Sequence, residues 1–292
     1  MASLFTEDFV RSIERLRITA RQVLAGGRHA QHRSRDLGAG MEFRDFRSYV
    51  PGDDLRRIDW SLYRRSGRLF LRLFEEPEDL PVYILVDISD SMFFETPPRA
   101  DGGRQMAGVL AAVSLNQFDR IRLYPFGADL VQPAVSLSGK HRLRHALEFL
   151  DGLAPAGPTD LVKSIRRFGT LRLRSGLVVV ISDFFDPQGV EAVIGALGSL
   201  RHRLLVVQLV RDSDARPPVD GELRLIDCES GAEVDVTVTG KELDRYAQAY
   251  RAFSARLAES LLQQRAAHLR LNADRPVLDQ LSDLFAGGVL VT

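Results

Sequence analysis

Pro81 is followed by Val82-Tyr83-Ile84-Leu85-Val86, an unbroken apolar run that ends abruptly in Asp87-Ile88-Ser89-Asp90-Ser91. Such a run reads as a strand buried on both faces, as in a parallel sheet covered by helices. Leu177–Ile181, which leads into Ser182-Asp183, and Leu204–Val210 have the same character. Ligands of open α/β sheets sit just past the carboxyl ends of such strands. Asp87, Ser89 and Ser91 therefore fall where a site is expected. They offer only oxygen, the ligand chemistry of a hard cation such as Mg²⁺.

The rest of the chain supplies the covering layers. Helical periodicity is expected over Asp8–Leu24, Arg104–Phe118, Lys140–Leu150, Asp160–Leu173, Pro187–Leu200, Leu243–Leu261 and Pro276–Phe285. Further strands are expected over Arg68–Glu76, Ile121–Phe126 and His268–Asn272, with an edge strand over Leu130–Val135 that tolerates Pro133. Pro51-Gly52 reads as a tight turn, and Asp53 or Asp54 as the cap of a short helix ending near Trp60. Phe93–Gly103 reads as a loop, and Leu223–Val238 as a hairpin around Glu229-Ser230-Gly231. Strands alternating with helices from about Pro81 imply an α/β, doubly wound, mostly parallel sheet with helices on both faces. Residues 1–80 are then an N-terminal α/β extension, and 81–292 the main domain, with a hairpin insertion at about 222–238.

Composition narrows the function classes. Lys+Arg and Asp+Glu are both 39, so no global field favours nucleic acid or an anionic membrane. The single cysteine, Cys228, leaves no intrachain disulfide and no multi-cysteine zinc site. No apolar stretch approaches the ~20 residues of a membrane span, and acids precede any apolar run at the N-terminus, unlike a signal peptide. The expected location is cytoplasmic.

Asp87 and Asp183 both end apolar strands, and Thr159 opens a helix between them on the same sheet edge. The candidate metal site is Asp87, Ser89, Ser91, Thr159 and Asp183. Two neighbouring carboxylates resist joint ionisation, and a divalent cation removes that conflict. The plainer reading is that both acids cap turns and both serines satisfy loop amides.

Asp87-x-Ser89-x-Ser91, Thr159 and Asp183 resemble the metal-ion-dependent adhesion site of von Willebrand factor A domains. The block Glu42-Phe-Arg-Asp-Phe-Arg-Ser-Tyr-Val-Pro-Gly-Asp-Asp-Leu-Arg-Arg-Ile-Asp-Trp60 resembles the signature of bacterial domain-of-unknown-function family fifty-eight, whose members join it to an A-type domain. The resemblance implies a central, mostly parallel sheet between helices. It implies that Ser89, Ser91 and Thr159 contact Mg²⁺, or Mn²⁺ or Ca²⁺, while Asp87 and Asp183 act mainly through water. A partner carboxylate would complete the coordination. The family is similar to partners of MoxR-type AAA+ ATPases, which implies an adaptor or co-chaperone that helps assemble or remodel client protein complexes. Unlike many members, this sequence has no membrane helix before the signature block.

Two other function classes fit the residues less well. A phosphohydrolase of the haloacid dehalogenase type needs a second Asp two places after the first, but Ser89 stands there and Asp90 is one place off. His141 and His145 lack the adjacent Glu of a zinc protease. A nucleic-acid reading rests on Arg28 to Arg72, with eleven Arg against six acids and Trp60 and Tyr63 for stacking. Those acids are interleaved with the arginines, so ion pairing explains the segment equally well, and no nucleic acid is expected. Within the block, Phe43, Arg44, Asp45, Arg47, Tyr49, Asp53, Asp54 and Trp60 are the candidate ATPase-facing residues.

Overall fold

The structure is a computed structural model that describes residues 3–13, 42–51, 53–54, 58–75, 81–116, 120–131 and 134–286, of which 42–47, 72–75, 116 and 282–286 are described by their backbone. By its contacts the chain divides into two units, Met1–Arg28 with Leu80–Thr292, and His29–Asp79.

In the smaller unit, β1 (Glu42–Ser48) pairs antiparallel with β2 (Phe70–Glu75), with a register shift between Phe43 and Asp45. Asp53 closes the expected turn: its N–H donates to Val50 O, and its Oδ2 accepts from Val50 N at 2.9 Å. The short helix does not end at Trp60 but begins there. Asp59 is its cap, with Oδ1 accepting from Ser61 N and Leu62 N, both at 2.9 Å. Asp53 is committed to the turn, so Asp59 takes the capping role. The helix spans Trp60–Ser66 and is called α2, because α1 is the N-terminal helix, described over residues 7–13.

The larger unit holds a six-stranded sheet of β3 (Val82–Asp87), β4 (Arg120–Phe126), β5 (Val135–Ser138), β6 (Leu177–Ser182), β7 (Arg203–Val210) and β10 (Ala267–Asn272), in the order β10-β7-β6-β3-β4-β5. Every pairing is parallel except β4 with β5. The edge strand lies later than expected: Leu130 makes one isolated bridge to Phe126, and residues 132–133 lie outside the described residues. A separate antiparallel hairpin is formed by β8 (Gly221–Ile226) and β9 (Glu233–Val238).

The helices are α3 (Ser91–Phe94), α4 (Arg99–Asn116), α5 (Leu143–Asp151), α6 (Leu161–Gly169), α7 (Val190–Gly198), α8 (Asp212–Ala215), α9 (Gly240–Gln263) and α10 (Val277–Ala286). Alternation along β3 divides the core. Val82, Ile84 and Val86 pack with residues of α1, α4, α5 and α10, whereas Tyr83 and Leu85 pack with residues of α6, α7 and α9. Phe9 and Ile13 of α1 belong to the first cluster, so this helix is part of the sheet unit and not of the extension expected to end at residue 80.

Helix α4 begins five residues before the expected start and includes Gly102 and Gly103. A Cβ at Gly103 would lie 3.1 Å from Leu209 Cδ1, so glycine there allows close helix–sheet packing. That packing outweighs the ~1 kcal/mol cost of glycine in a helix.

Candidate functional site

After β3 the chain turns to β4 on one side, and later returns as β6 on the other. The strand order therefore reverses between β3 and β6, the crevice where doubly wound sheets bind ligands. Asp87 ends β3 and Ser182-Asp183 end β6, so the fold brings these groups together.

Asp87 and Ser89 are fully buried. Asp87 Oδ1 accepts from Ser89 N at 3.0 Å and Ser89 Oγ at 2.7 Å, and Ser89 Oγ lies 3.1 Å from Ser91 Oγ. Asp87 Oδ2 accepts from Ser182 Oγ at 2.6 Å. Both carboxylate oxygens are thus engaged, and Ser89 is held in place by Asp87. Burial raises the Asp87 carboxyl above the ordinary carboxylate range. Hydrogen bonds from Ser182 and Ser89 oppose that rise, and the Glu229 charge adds to it.

The Thr159 loop is fastened to the same edge. Asp90 N donates to Gly157 O at 2.9 Å, and Gly157 N donates to Asp90 Oδ1 at 3.1 Å. Ala156 N donates to Ile88 O, and Asp160 N to Gly127 O. Gly127 is required by proximity, since a Cβ there would stand 2.7 Å from Ala156 O. Asp160 caps α6 through Lys163 N, and Val162 N donates to Asp186 Oδ2 at 3.2 Å, which ties this loop to the one after β6. Thr159 is half-buried. Its N and Oγ1 donate to Glu229 Oε2 and Oε1 at 2.8 and 2.9 Å.

Asp183 is buried beside Arg99, with Arg99 Nη1 to Asp183 Oδ2 at 3.7 Å. Asp183 Oδ1 accepts from Phe185 N at 3.0 Å. Burial pushes the Asp183 carboxyl up to about 7; the Arg99 cation pulls against this, and the Asp87 charge adds to it. Arg99 also pairs with Asp214 at 2.7 Å and Glu95 at 3.2 Å, and Arg211 pairs with Glu95 and Asp274, both at 2.7 Å. Two arginines thus face four acids here, leaving the edge acidic.

Of the expected metal residues, Asp87, Ser89 and Ser91 form one hydrogen-bonded chain. Asp183 stands at the adjoining strand end, and Thr159 reaches the edge through the Asp90–Gly157 clasp. Three contributors were missed. Ser182, beside Asp183, was legible as a strand-end hydroxyl. Arg99 was hidden in a segment read as loop. Glu229 sits at a hairpin tip seventy residues from Thr159, and no local pattern marks it. Among the described residues, no group of three or more His, Cys, Asp or Glu is placed to hold a metal, so any cation here would depend on the hydroxyls.

The signature-block candidates lie in the smaller unit. Phe43, Arg44, Asp45 and Arg47 are on β1, and their side chains lie outside the described residues. Tyr49 and Asp53 are half-buried, and Asp54 is exposed. Trp60 is 56% exposed and meets Tyr63 edge-on, with ring centroids 6.1 Å apart. Ile58 of the block is buried.

Comparison with known families matches residues 45–256 to "Protein of unknown function DUF58". The chain belongs to that family. The uncharacterized protein Rv1480 of Mycobacterium tuberculosis (strain ATCC 25618 / H37Rv) is 28% identical over 280 residues, covering 94% of this chain and 86% of that one. The uncharacterized protein MAV169 of Mycobacterium avium is 30% identical over 132 residues, 45% of this chain and 76% of that one. Among solved structures, BatB from Bacteroides thetaiotaomicron is similar at TM-score 0.41 and 18% identity, covering 71% of this chain and 99% of that one. The SpRpn10 VWA domain is similar at TM-score 0.37 and 11% identity, covering 70% and 94%. At these scores the DUF58 chain's fold rests on its own strand order and connections. Among its described residues, no helix is long and apolar enough to cross a membrane.

Proposed function

We propose that this DUF58 protein is a metal-dependent protein-binding module rather than a catalyst. The observation that carries the reading is the convergence of Asp87, Ser89 and Ser91 with Ser182 and Asp183 at the reversal of strand order. The donor set fits a hard dication, because it is all oxygen, carries two buried acids, and holds hydroxyls that can ligate without adding charge. Ser89, Ser91 and Thr159 would hold the ion. Asp87, whose two oxygens already accept from Ser89 and Ser182, would orient Ser89 and act through water, as would Asp183. Bound there, the ion supplies an electrophilic position that a carboxylate of another protein can fill.

The partner we propose is a MoxR-type AAA+ ATPase acting on client complexes, with Mg²⁺ as the ion and the cytoplasm as the location. Trp60, the exposed last residue of the signature block, and Tyr63 just beyond it on α2 are the aromatic pair we assign to the partner-facing surface. Asp90, the acid closest in sequence to the position a phosphohydrolase would need, is clasped to Gly157, and nothing at the site favours that rival.

The test is calorimetric titration with Mg²⁺ followed by binding to a MoxR-type AAA+ ATPase, in Mg²⁺ and in EDTA, for the native chain and Asp87→Ala. Saturable Mg²⁺ binding, with ATPase binding lost in EDTA and in the variant, is expected. Equal ATPase binding under all conditions removes the metal from the mechanism.

A further inference from the structure

The β8–β9 hairpin makes little use of the core. Both strands are mostly exposed, and Leu225, Ile226 and Val234 are 48, 61 and 57% exposed. Its turn is nevertheless built with care. Asp227 Oδ1 accepts from Glu229 N and Ser230 N at 2.9 and 2.6 Å, Gly231 N donates to Asp227 O, and Gly231 takes a positive φ of 70°. That turn presents Glu229, which is half-buried while its neighbours Cys228 and Ser230 are exposed. The two Glu229 oxygens accept from Thr159 N and Oγ1, and its charge reaches Asp87. A third carboxylate at an edge already rich in acid costs electrostatic energy, and a bidentate contact of this kind must offset that cost.

We propose that Glu229 is an internal ligand: the hairpin lays its own carboxylate where a partner's carboxylate would bind, and a partner must displace it. The inference rests on the metal-dependent binding reading above and specifies how that site is regulated. The contact has the chemistry such a partner needs, an acidic side chain at the tip of a tight turn, gripped by a loop amide and a hydroxyl. In the closed arrangement, Thr159 spends its hydroxyl on Glu229. On release, Thr159 and any ion beside it become available from outside, and the hairpin loses this polar tether to the α6 loop.

Amide hydrogen exchange on the full chain, in Mg²⁺ and in EDTA, tests this with Glu229→Gln, which removes the charge but keeps the size. Glu222→Gln on the exposed side of β8 serves as the control, and exchange of β3 and β6 reports that the sheet remains folded. Glu229→Gln should speed exchange of the Thr159 amide and of the 227–232 turn by roughly tenfold, the loss of one hydrogen bond of ordinary net strength. Glu222→Gln should leave both unchanged. Unchanged exchange in Glu229→Gln, with the sheet intact, overturns the proposal even where calorimetry shows Mg²⁺ bound. Faster exchange in EDTA and Mg²⁺ alike, with no Mg²⁺ binding by calorimetry, shows the Glu229–Thr159 latch but overturns the metal reading and with it the role of Glu229 as an internal ligand.

Discussion

Asp183 and Arg99 show how a single pair of residues sets conditions for the whole edge. The Asp183 carboxyl rises from an ordinary 3.8 to about 7, first through burial. The folded chain therefore holds a proton that the unfolded chain releases, so stability falls as pH rises through this window. The contribution is fully present below the unfolded value and gone above the folded one, and Asp87 shifts in the same direction. His202 and His268, which burial lowers, contribute in the opposite sense over the same range, so the comparison is with Asp183→Asn. Between about pH 5 and about pH 8 in EDTA the native chain should lose more of its urea midpoint than this variant, and Mg²⁺ should narrow the native loss on the proposed reading, since it favours the ionised acids. An equal loss in the native chain and in Asp183→Asn would contradict the burial argument. Arg99 is itself buried among Asp183, Asp214 and Glu95. Arg99→Ala leaves those acids without their shared cation and should cost about 3–5 kcal/mol, read by the same denaturation. The acids at strand ends were legible in the sequence because each follows an apolar run. Arg99 was not, because only the tertiary fold places it opposite residues more than a hundred positions away.

At the scale of elements, the site depends on loops being held close rather than on any one strand. Gly127, after β4, lets the Ala156 segment pass, and that segment bonds to Ile88 O and leads to Thr159. Gly127→Ala would set a Cβ against backbone and should destabilise the chain by about 1–3 kcal/mol. On the proposed reading it should also weaken Mg²⁺ binding on calorimetry, because the Thr159 loop must move. A variant with native stability and native binding would show that the loop yields more easily than its packing suggests. The long apolar strands were read within a residue or so of their limits, since β3, β6 and β7 have no competing pattern. Helix starts were read less well. Asp53 and Asp59 are equally plausible caps by type, and the choice between them was made by the bond from Val50 N to Asp53. Gly102-Gly103 looked like a break in the chain, and became helix because Leu209 and Ile181 lie against it.

At the scale of the molecule, ligand binding and folding are linked. On the proposed reading, Mg²⁺ at one hundred times its dissociation constant should stabilise the sheet unit by about 2.7 kcal/mol. The His29–Asp79 unit contributes none of the metal residues. Thermal melts with and without Mg²⁺ should therefore shift in the native chain and stay fixed in Asp87→Ala. By itself the sequence determined the α/β class and the apolar strands at whose ends the proposed site residues stand, because hydrophobic periodicity and strand-end position are local properties. The tertiary structure alone decided three things: that α1 packs with the sheet, that Arg99 sits against Asp183, and that Glu229 closes on Thr159. Each joins residues far apart in the chain, and such contacts are selected by the free energy of the packed whole, which no local window contains.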